Sequence, residues 1–143
     1  AQVADILAER HGFKVLIFAS AADKKIAQAV QRHMRHRAVN LAGETTIGEL
    51  AAAIKRCRLF ISNDSGPVHI ASAVGVPVIS IFGRKQPGLS PRRWAPTGPK
   101  DKALHGDAGC VVCLAHNCIN SFACLKAVSV EDVLKTAEGM IDG

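Results

Sequence analysis

The stretch Leu59-Phe60-Ile61-Ser62-Asn63-Asp64-Ser65-Gly66-Pro67-Val68-His69-Ile70-Ala71 changes character in its middle. Its start is a continuous apolar run of strand length, as strands covered on both faces are. Small polar residues end that run. Gly66 and Pro67 follow, and Pro suits a first helical position because its missing N–H would be unpaired there. The reading is strand, tight turn, helix. In such a unit the turn lies at the C-terminal edge of a parallel sheet and at the positive end of a helix dipole. Free N–H groups there make a ready anion site. Gly66 lets an anion approach the backbone closely, Ser65 adds a hydroxyl, and His69 adds a ring N–H. The same residues also suit a plain capped helix, with Asp64 or Ser65 as the cap. Residue type alone does not separate the two.

Strand and helix patterns alternate on both sides of this stretch. Val15 to Ala19 and Val78 to Phe82 are apolar runs that predict buried strands, and Ala38 to Leu41 and Lys102 to His105 predict shorter ones. Helical spacing recurs at Val3, Ile6 and Leu7, with Gly12 as the stop. A second stripe joins Ile26, Ala29, Val30 and Met34. Thr46 and Glu49 fit a capping box ahead of Ile47, Leu50, Ala51 and Ile54. Ser129 caps a last helix with its stripe at Val130, Val133, Leu134, Ala137 and Ile141. Residues 83–100 hold four prolines and three glycines and predict a long loop, a place where function often resides. The alternation predicts an α/β fold, a Rossmann-like doubly wound parallel sheet. The chain opens on a helix, whereas the first strand of such a half-domain sits mid-sheet. A first strand upstream of Ala1 is therefore expected.

The chain has 143 residues, 48% apolar and 21% charged, which suits one domain with a real core and excludes a disordered or collagen-like chain. No apolar run is as long as a membrane span, and Ala1 to Asp5 lacks the basic start of a signal peptide. The net charge of +6 suits a polyanionic partner. Aromatic residues are only 4%, with no Tyr, so there is little surface for stacking bases and no nucleic acid is expected. Five cysteines are few and odd in number, which favours a reduced, cytosolic setting. Four of them cluster at Cys110, Cys113, Cys118 and Cys124. Thiolates at such spacings can hold zinc, with His116 as a substitute ligand. They can equally pack as small side chains or oxidise to a disulfide. Cys57 reads as a buried small hydrophobe. The basic run Arg32 to Arg37 reads as a solvated helix end. Arg84, Lys85, Arg92 and Arg93 lie in the long loop near the expected ligand edge. Trp94 beside them reads as a lid or as cover for a core edge.

Asn63 to Ala71, followed by Ala73-Val74-Gly75-Val76-Pro77 and Ile81-Phe82-Gly83, resembles the lipopolysaccharide heptosyltransferase family (glycosyltransferase family 9). That family carries the pattern D-[ST]-G-x-x-H-x-x-A-A-x-G-x-P-x-x-x-x-F-G. Asn40 to Leu50 resembles its N-L-x-G-x-T-[ST]-L-x-E-L segment, and the late cysteines resemble its C-terminal cysteine pattern. The resemblance implies a GT-B enzyme of two Rossmann-like domains, with residues 1–143 as the C-terminal, donor-binding one. It implies transfer of heptose from ADP-heptose to the lipopolysaccharide inner core by inverting displacement. By position, Asp64, Ser65, Gly66 and His69 match residues around the donor sugar and diphosphate, with His69 stabilising the leaving group. Asp23 matches an acidic residue on the ribose hydroxyls, and Thr45 matches the lining of the adenine pocket. Arg84, Lys85, Arg92 and Arg93 would meet the donor diphosphate or the phosphorylated acceptor.

The resemblance implies no required cofactor, so any zinc at the cysteines would be structural. The family's general base lies in the N-terminal domain, and its phosphate-binding Lys precedes the first helix here. This chain alone is therefore expected to be inactive. The implied partners are ADP-heptose or ADP, the lipopolysaccharide core acceptor and the N-terminal domain. The implied place is the cytoplasm, at the inner face of the bacterial inner membrane, with the membrane met only through a lipid-linked acceptor. Two alternatives compete. A nucleotide-sugar epimerase of the same architecture also has an Asp-Ser-Gly turn, but continues with Gly and Glu rather than Pro67 and His69. A cysteine-based metal-binding module on an α/β scaffold is the non-enzyme reading.

Overall fold

Val78, Ile79, Ser80 and Phe82 are all buried, so the strand they belong to is covered on both faces. This strand, β4 (Val78–Phe82), is the centre of the second of two compact units, Ala1–Ala52 and Ala53–Gly143, in a computed structural model that describes residues 1–83, 86, 88–111, 113 and 117–142. Its neighbours are β3 (Phe60–Asn63) and β5 (Lys102–His105), in the parallel order β3-β4-β5. Phe60 stands opposite Val78 and Asn63 opposite Ile81, while Ile79 stands opposite Lys102. Parallel neighbours need a crossover, and α4 (Gly66–Ala73) supplies the one between β3 and β4. Both α4 and α7 (Val130–Ile141) pack on β4. The continuous apolar run in the sequence is thus the mark of a central strand.

The predicted cap of the last helix is formed. The Ser129 hydroxyl accepts the Asp132 N–H at 3.1 Å, and the Asp132 carboxylate accepts the Ser129 N–H at 2.9 Å. Val133, Leu134 and Ala137 are the buried face of α7. Asp101 ties three segments together ahead of β5. Its carboxylate accepts the Ser72 hydroxyl at 2.6 Å, the Val78 N–H at 3.0 Å and the Gly98 N–H at 2.7 Å. Among its described residues the long loop predicted over 83–100 contains one helical turn, α5 (Pro91–Trp94). The cysteine segment also holds one, α6 (Ala123–Lys126), folded back against the end of β5. At Gly106 an added Cβ would stand 2.5 Å from the Cys124 carbonyl oxygen and 2.5 Å from the Ala127 Cβ. Only glycine fits there, and nothing in the hydrophobic spacing announced it.

In the first unit β1 (Val15–Ile17) and β2 (Ala38–Asn40) form a parallel pair, with Val15 opposite Ala38. β1 is half-buried throughout, not buried as its apolar run suggested. Helix α1 (Gln2–His11) stops at Gly12, which takes the left-handed conformation at φ 67°. In α2 (Lys24–His33) the expected stripe is displaced by one residue. Ala27 is buried while Ile26 is 65% exposed. The inward row is Ala27, Val30, Gln31 and Met34. It was hidden because it contains a polar residue whose amide is used: Gln31 Nε2 donates to the Ala38 carbonyl at 2.9 Å, and its Oε1 accepts from Asn40 Nδ2 at 3.3 Å. The Thr46–Glu49 capping box is present at the start of α3 (Ile47–Ile54), a helix that crosses the unit boundary. No helix among the described residues is long and apolar enough to cross a membrane.

One structural residue of the first unit went unread. Asp5, in the first turn of α1, is buried. Its carboxylate accepts the N–H of Arg35 at 3.0 Å and of His36 at 2.9 Å, and the His36 ring lies 3.3 Å away. The Arg35 N–H, then the His36 N–H, hold this carboxyl below the ordinary aspartate range. A carboxyl whose folded pKa is depressed contributes stability above its unfolded pKa, and loses it as pH falls through the folded value. Asp5→Asn keeps the shape but turns an N–H donor toward N–H groups. We expect it to lower the melting temperature at pH 7, and the difference from the native chain to shrink as pH falls below about 4. Thermal melts across that range check this.

Candidate functional site

The Asp64 N–H donates to the Ile81 carbonyl at 3.0 Å, and beyond it the chain leaves the sheet. Ser65 is extended, Gly66 begins α4, and Pro67 sits in its first turn as predicted. The Ser65 carbonyl accepts the Val68 N–H at 3.2 Å. The Ser65 side chain, however, caps nothing. Its hydroxyl pairs with the Ser62 hydroxyl at 3.1 Å instead. The plain capped-helix reading therefore lacks its cap bond at Ser65, and among the described residues no other side chain is hydrogen-bonded there as a cap. Asp64, Gly66 and His69 are exposed around that end, with Ser65 half-buried. The Asp64 carboxylate has no hydrogen-bond partner among the described residues. Among the described residues the result is an open helix start flanked by a carboxylate and an imidazole that make no hydrogen bond, a geometry suited to a polar, anionic ligand.

The loop after β4 reaches this same place. Trp94, at the end of α5, meets His69 edge-on, with ring centroids 6.4 Å apart and planes at 64°. Its indole N–H donates to the Gly88 carbonyl at 2.7 Å, and the Arg93 guanidinium lies 5.4 Å over its ring. Arg92 is exposed on the same turn. The structure thus brings Ser65, Gly66, His69, Arg93 and Trp94 to one end of the second unit. Arg84 and Lys85 lie outside the described residues.

Asp23 and Thr45 belong to the first unit. Asp23 ends the helical turn Ala21–Asp23 after β1, and its carboxylate accepts the Ser20 hydroxyl at 2.6 Å. Thr45 is half-buried and follows Glu44, which pairs with Lys24 at 2.8 Å. That Lys24 hydrogen bond and charge hold the Glu44 carboxyl below its ordinary range. The two segments meet at Gly43, where φ is 68° and a Cβ would stand 2.6 Å from the Lys24 side chain and 2.9 Å from the Ala21 Cα. Asp23 and Thr45 therefore follow the C-terminal ends of β1 and β2, the edge where open α/β sheets bind ligands.

Cys110, Cys113, Cys118 and Cys124 line one cavity of about 220 Å³, together with His105 and Gly83 at the ends of β5 and β4. The Cys124 thiol donates to the Gly83 carbonyl at 2.9 Å. Cys110 accepts from Asn120 Nδ2 at 3.1 Å, and Cys118 accepts the Phe122 N–H at 3.3 Å. All five cysteines are free thiols. Among the described residues no three His, Cys, Asp or Glu side chains stand where they could hold a metal ion, and His116 lies outside those residues. Cys57 is half-buried, not buried, because it follows α3 and turns its thiol onto the Ala53 carbonyl at 3.5 Å. Burial pushes that thiol's pKa up.

Ser80 escaped the sequence reading because a serine inside a strand carries no motif. It is fully buried, and its hydroxyl has no hydrogen-bond partner among the described residues. It stands opposite Ser62 in the ladder, and Ser62 pairs with Ser65. A row of hydroxyls thus runs from the middle of the sheet to the turn.

Residues 1–123 match the family described as glycosyltransferase family 9 (heptosyltransferase). The chain is 29% identical over 136 residues to the lipooligosaccharide heptosyltransferase 2 of Campylobacter jejuni, covering 89% of this chain and 40% of that protein. It is 38% identical over 95 residues to the same-named protein of Haemophilus influenzae, covering 64% of this chain and 27% of the other. Among solved structures, the glycosyl transferase family 9 protein from Veillonella parvula superposes with a TM-score of 0.80 at 30% identity, over 98% of this chain and 39% of that one. The chain spans two fifths or less of the length of each of these relatives.

An unpartnered buried hydroxyl costs stability that an apolar replacement does not incur. Ser80→Ala should raise the unfolding free energy by about 1 kcal/mol, read from urea denaturation midpoints.

Proposed function

The chain belongs to glycosyltransferase family 9, and from that premise we propose that residues 1–143 are the donor-binding domain of a two-domain enzyme transferring heptose from ADP-heptose to the lipopolysaccharide inner core. One observation carries the reading: among the described residues α4 begins at Gly66 without a side-chain cap, between an Asp64 carboxylate and a His69 imidazole that make no hydrogen bond. The relatives named above are heptosyltransferases, which supplies the sugar class. An epimerase of similar architecture fits less well, since Pro67 and His69 stand where its turn continues with Gly and Glu.

The chemistry follows from charge. In an inverting displacement the acceptor hydroxyl attacks the anomeric carbon as the bond to ADP breaks. Negative charge gathers on the departing diphosphate. The N-terminal end of α4 presents backbone dipoles to that charge, and fixed donors of this kind lower a barrier without reorganising. Gly66 carries no side chain to hold the phosphate off. His69 adds a ring N–H or a full positive charge. Asp64, being anionic, is placed for the hydroxyls of the donor sugar and not for the diphosphate. Arg92 and Arg93 suit the diphosphate or a phosphorylated acceptor. Asp23 would take the ribose hydroxyls and Thr45 the adenine side. The acceptor's proton goes to a base of the other domain.

Parallel pairing within each unit, β1-β2 in the first and β3-β4-β5 in the second, supports a Rossmann-like reading of the chain. The setting that goes with this reading is the cytoplasmic face of the inner membrane, met through a lipid-linked acceptor. No cofactor enters the reaction as proposed. A structural zinc would draw on Cys110, Cys113, Cys118 and Cys124, none of them part of the turn.

Ligand-observed NMR with ADP and UDP tests the reading. ADP should bind in preference to UDP, His69→Ala should weaken ADP binding by about tenfold, and Asp64→Ala should weaken binding of the ADP-sugar. A folded chain that binds neither nucleotide, or both equally, contradicts it.

A further inference from the structure

His69 is exposed, and among the described residues its imidazole has no hydrogen-bond partner. A histidine held by no hydrogen bond swings about its side-chain torsions, and its N–H points nowhere in particular. Among the described residues the aromatic ring it meets is that of Trp94, in an edge-type contact at 6.4 Å and 64°. Trp94 is itself fixed. Its N–H is spent on the Gly88 carbonyl at 2.7 Å, and the Arg93 guanidinium lies over its ring at 5.4 Å. Yet the indole remains 42% exposed. A large aromatic held by two contacts, left partly open to solvent and set against an unbonded imidazole, is a poor stability device. It is a good device for aiming that imidazole.

We propose that Trp94 is a positioning residue for His69: its edge holds the imidazole over the start of α4, so that a diphosphate is bound there only weakly without it. The proposal rests on the donor reading above and deepens it. The ligand class is a nucleoside diphosphate, engaged at its phosphates. Phenylalanine in place of Trp94 keeps an aromatic ring for the imidazole and gives up the bond to Gly88 and the second ring of the indole. Leucine removes the edge. Arg93 adds a permanent cation over the indole, and its charge does not depend on the imidazole's orientation.

Trp94 is the sole tryptophan of the chain, so its emission reports on this place alone. ADP and inorganic pyrophosphate are titrated into the full chain, followed by tryptophan fluorescence and by calorimetry. The expected result is a saturable change in emission with both probes, at the affinity calorimetry gives, and absent in His69→Ala. By calorimetry Trp94→Leu should lose about tenfold in affinity for both probes, and Trp94→Phe no more than about twofold. A native emission indifferent to saturating ADP overturns the proposal without any variant. So does a Trp94→Leu chain that binds like the native one, or a Trp94→Phe chain that loses as much as Trp94→Leu. In those cases calorimetric binding of ADP by the native chain leaves the donor reading standing. Absence of that binding removes both.

Discussion

The β3–β4 ladder closes with the bond from the Asp64 N–H to the Ile81 carbonyl, and that bond decides where the chain turns out of the sheet. Had the register slipped by one residue, Asp64 and Ser65 would exchange faces. The pairing of Ser65 with Ser62 is what leaves the helix end open to a ligand. Burial of β4 on both faces makes the register firm, since a slip would disturb Val78, Ile79 and Phe82 together. The site is thus a consequence of the core. A rigid strand pair aims a helix start, and polar residues at the turn decorate it.

The two segments after β4 use that scaffold differently. One carries α5 and brings Trp94 and Arg93 to His69. The other carries the late cysteines, and Gly106 allows α6 to close down on the end of β5. Both depart from the C-terminal edge, where parallel sheets have their loops and their chemistry. Their roles are separable: the cysteine cavity contains none of the residues of the Asp64–His69 turn. The first unit offers an edge of the same kind, where Gly43 lets the segments bearing Asp23 and Thr45 come together.

Much of this was legible from residue patterns. Apolar runs gave β4 and the start of β3, and reciprocal caps at Thr46–Glu49 and Ser129–Asp132 marked two helices, because these signals are local and need no partner. What the sequence concealed was tertiary. The inward row of α2 contains Gln31, whose amide is satisfied only by β2, so an apolar count placed the stripe on Ile26. Asp5 looks like an ordinary first-turn acid until Arg35 and His36 fold back onto it. Gly106 resembles any loop glycine until α6 lies on it. The Asp64–His69 motif was visible as a candidate, but whether Ser65 capped its own helix depended on Ser62 across the turn. Trp94 gave no sign of its neighbour, for no spacing rule links residues 69 and 94.

The central claim is that the start of α4 binds the diphosphate of a nucleotide. Backbone amide NMR of the isotope-labelled chain, with ADP added stepwise, addresses it directly. The account predicts that the largest shifts fall on Ser65, Gly66, Val68 and His69, and that inorganic pyrophosphate moves the same amides. Shifts centred on Gly83, Gly106 and the cysteine cavity, with the Ser65–His69 amides unmoved, would contradict it.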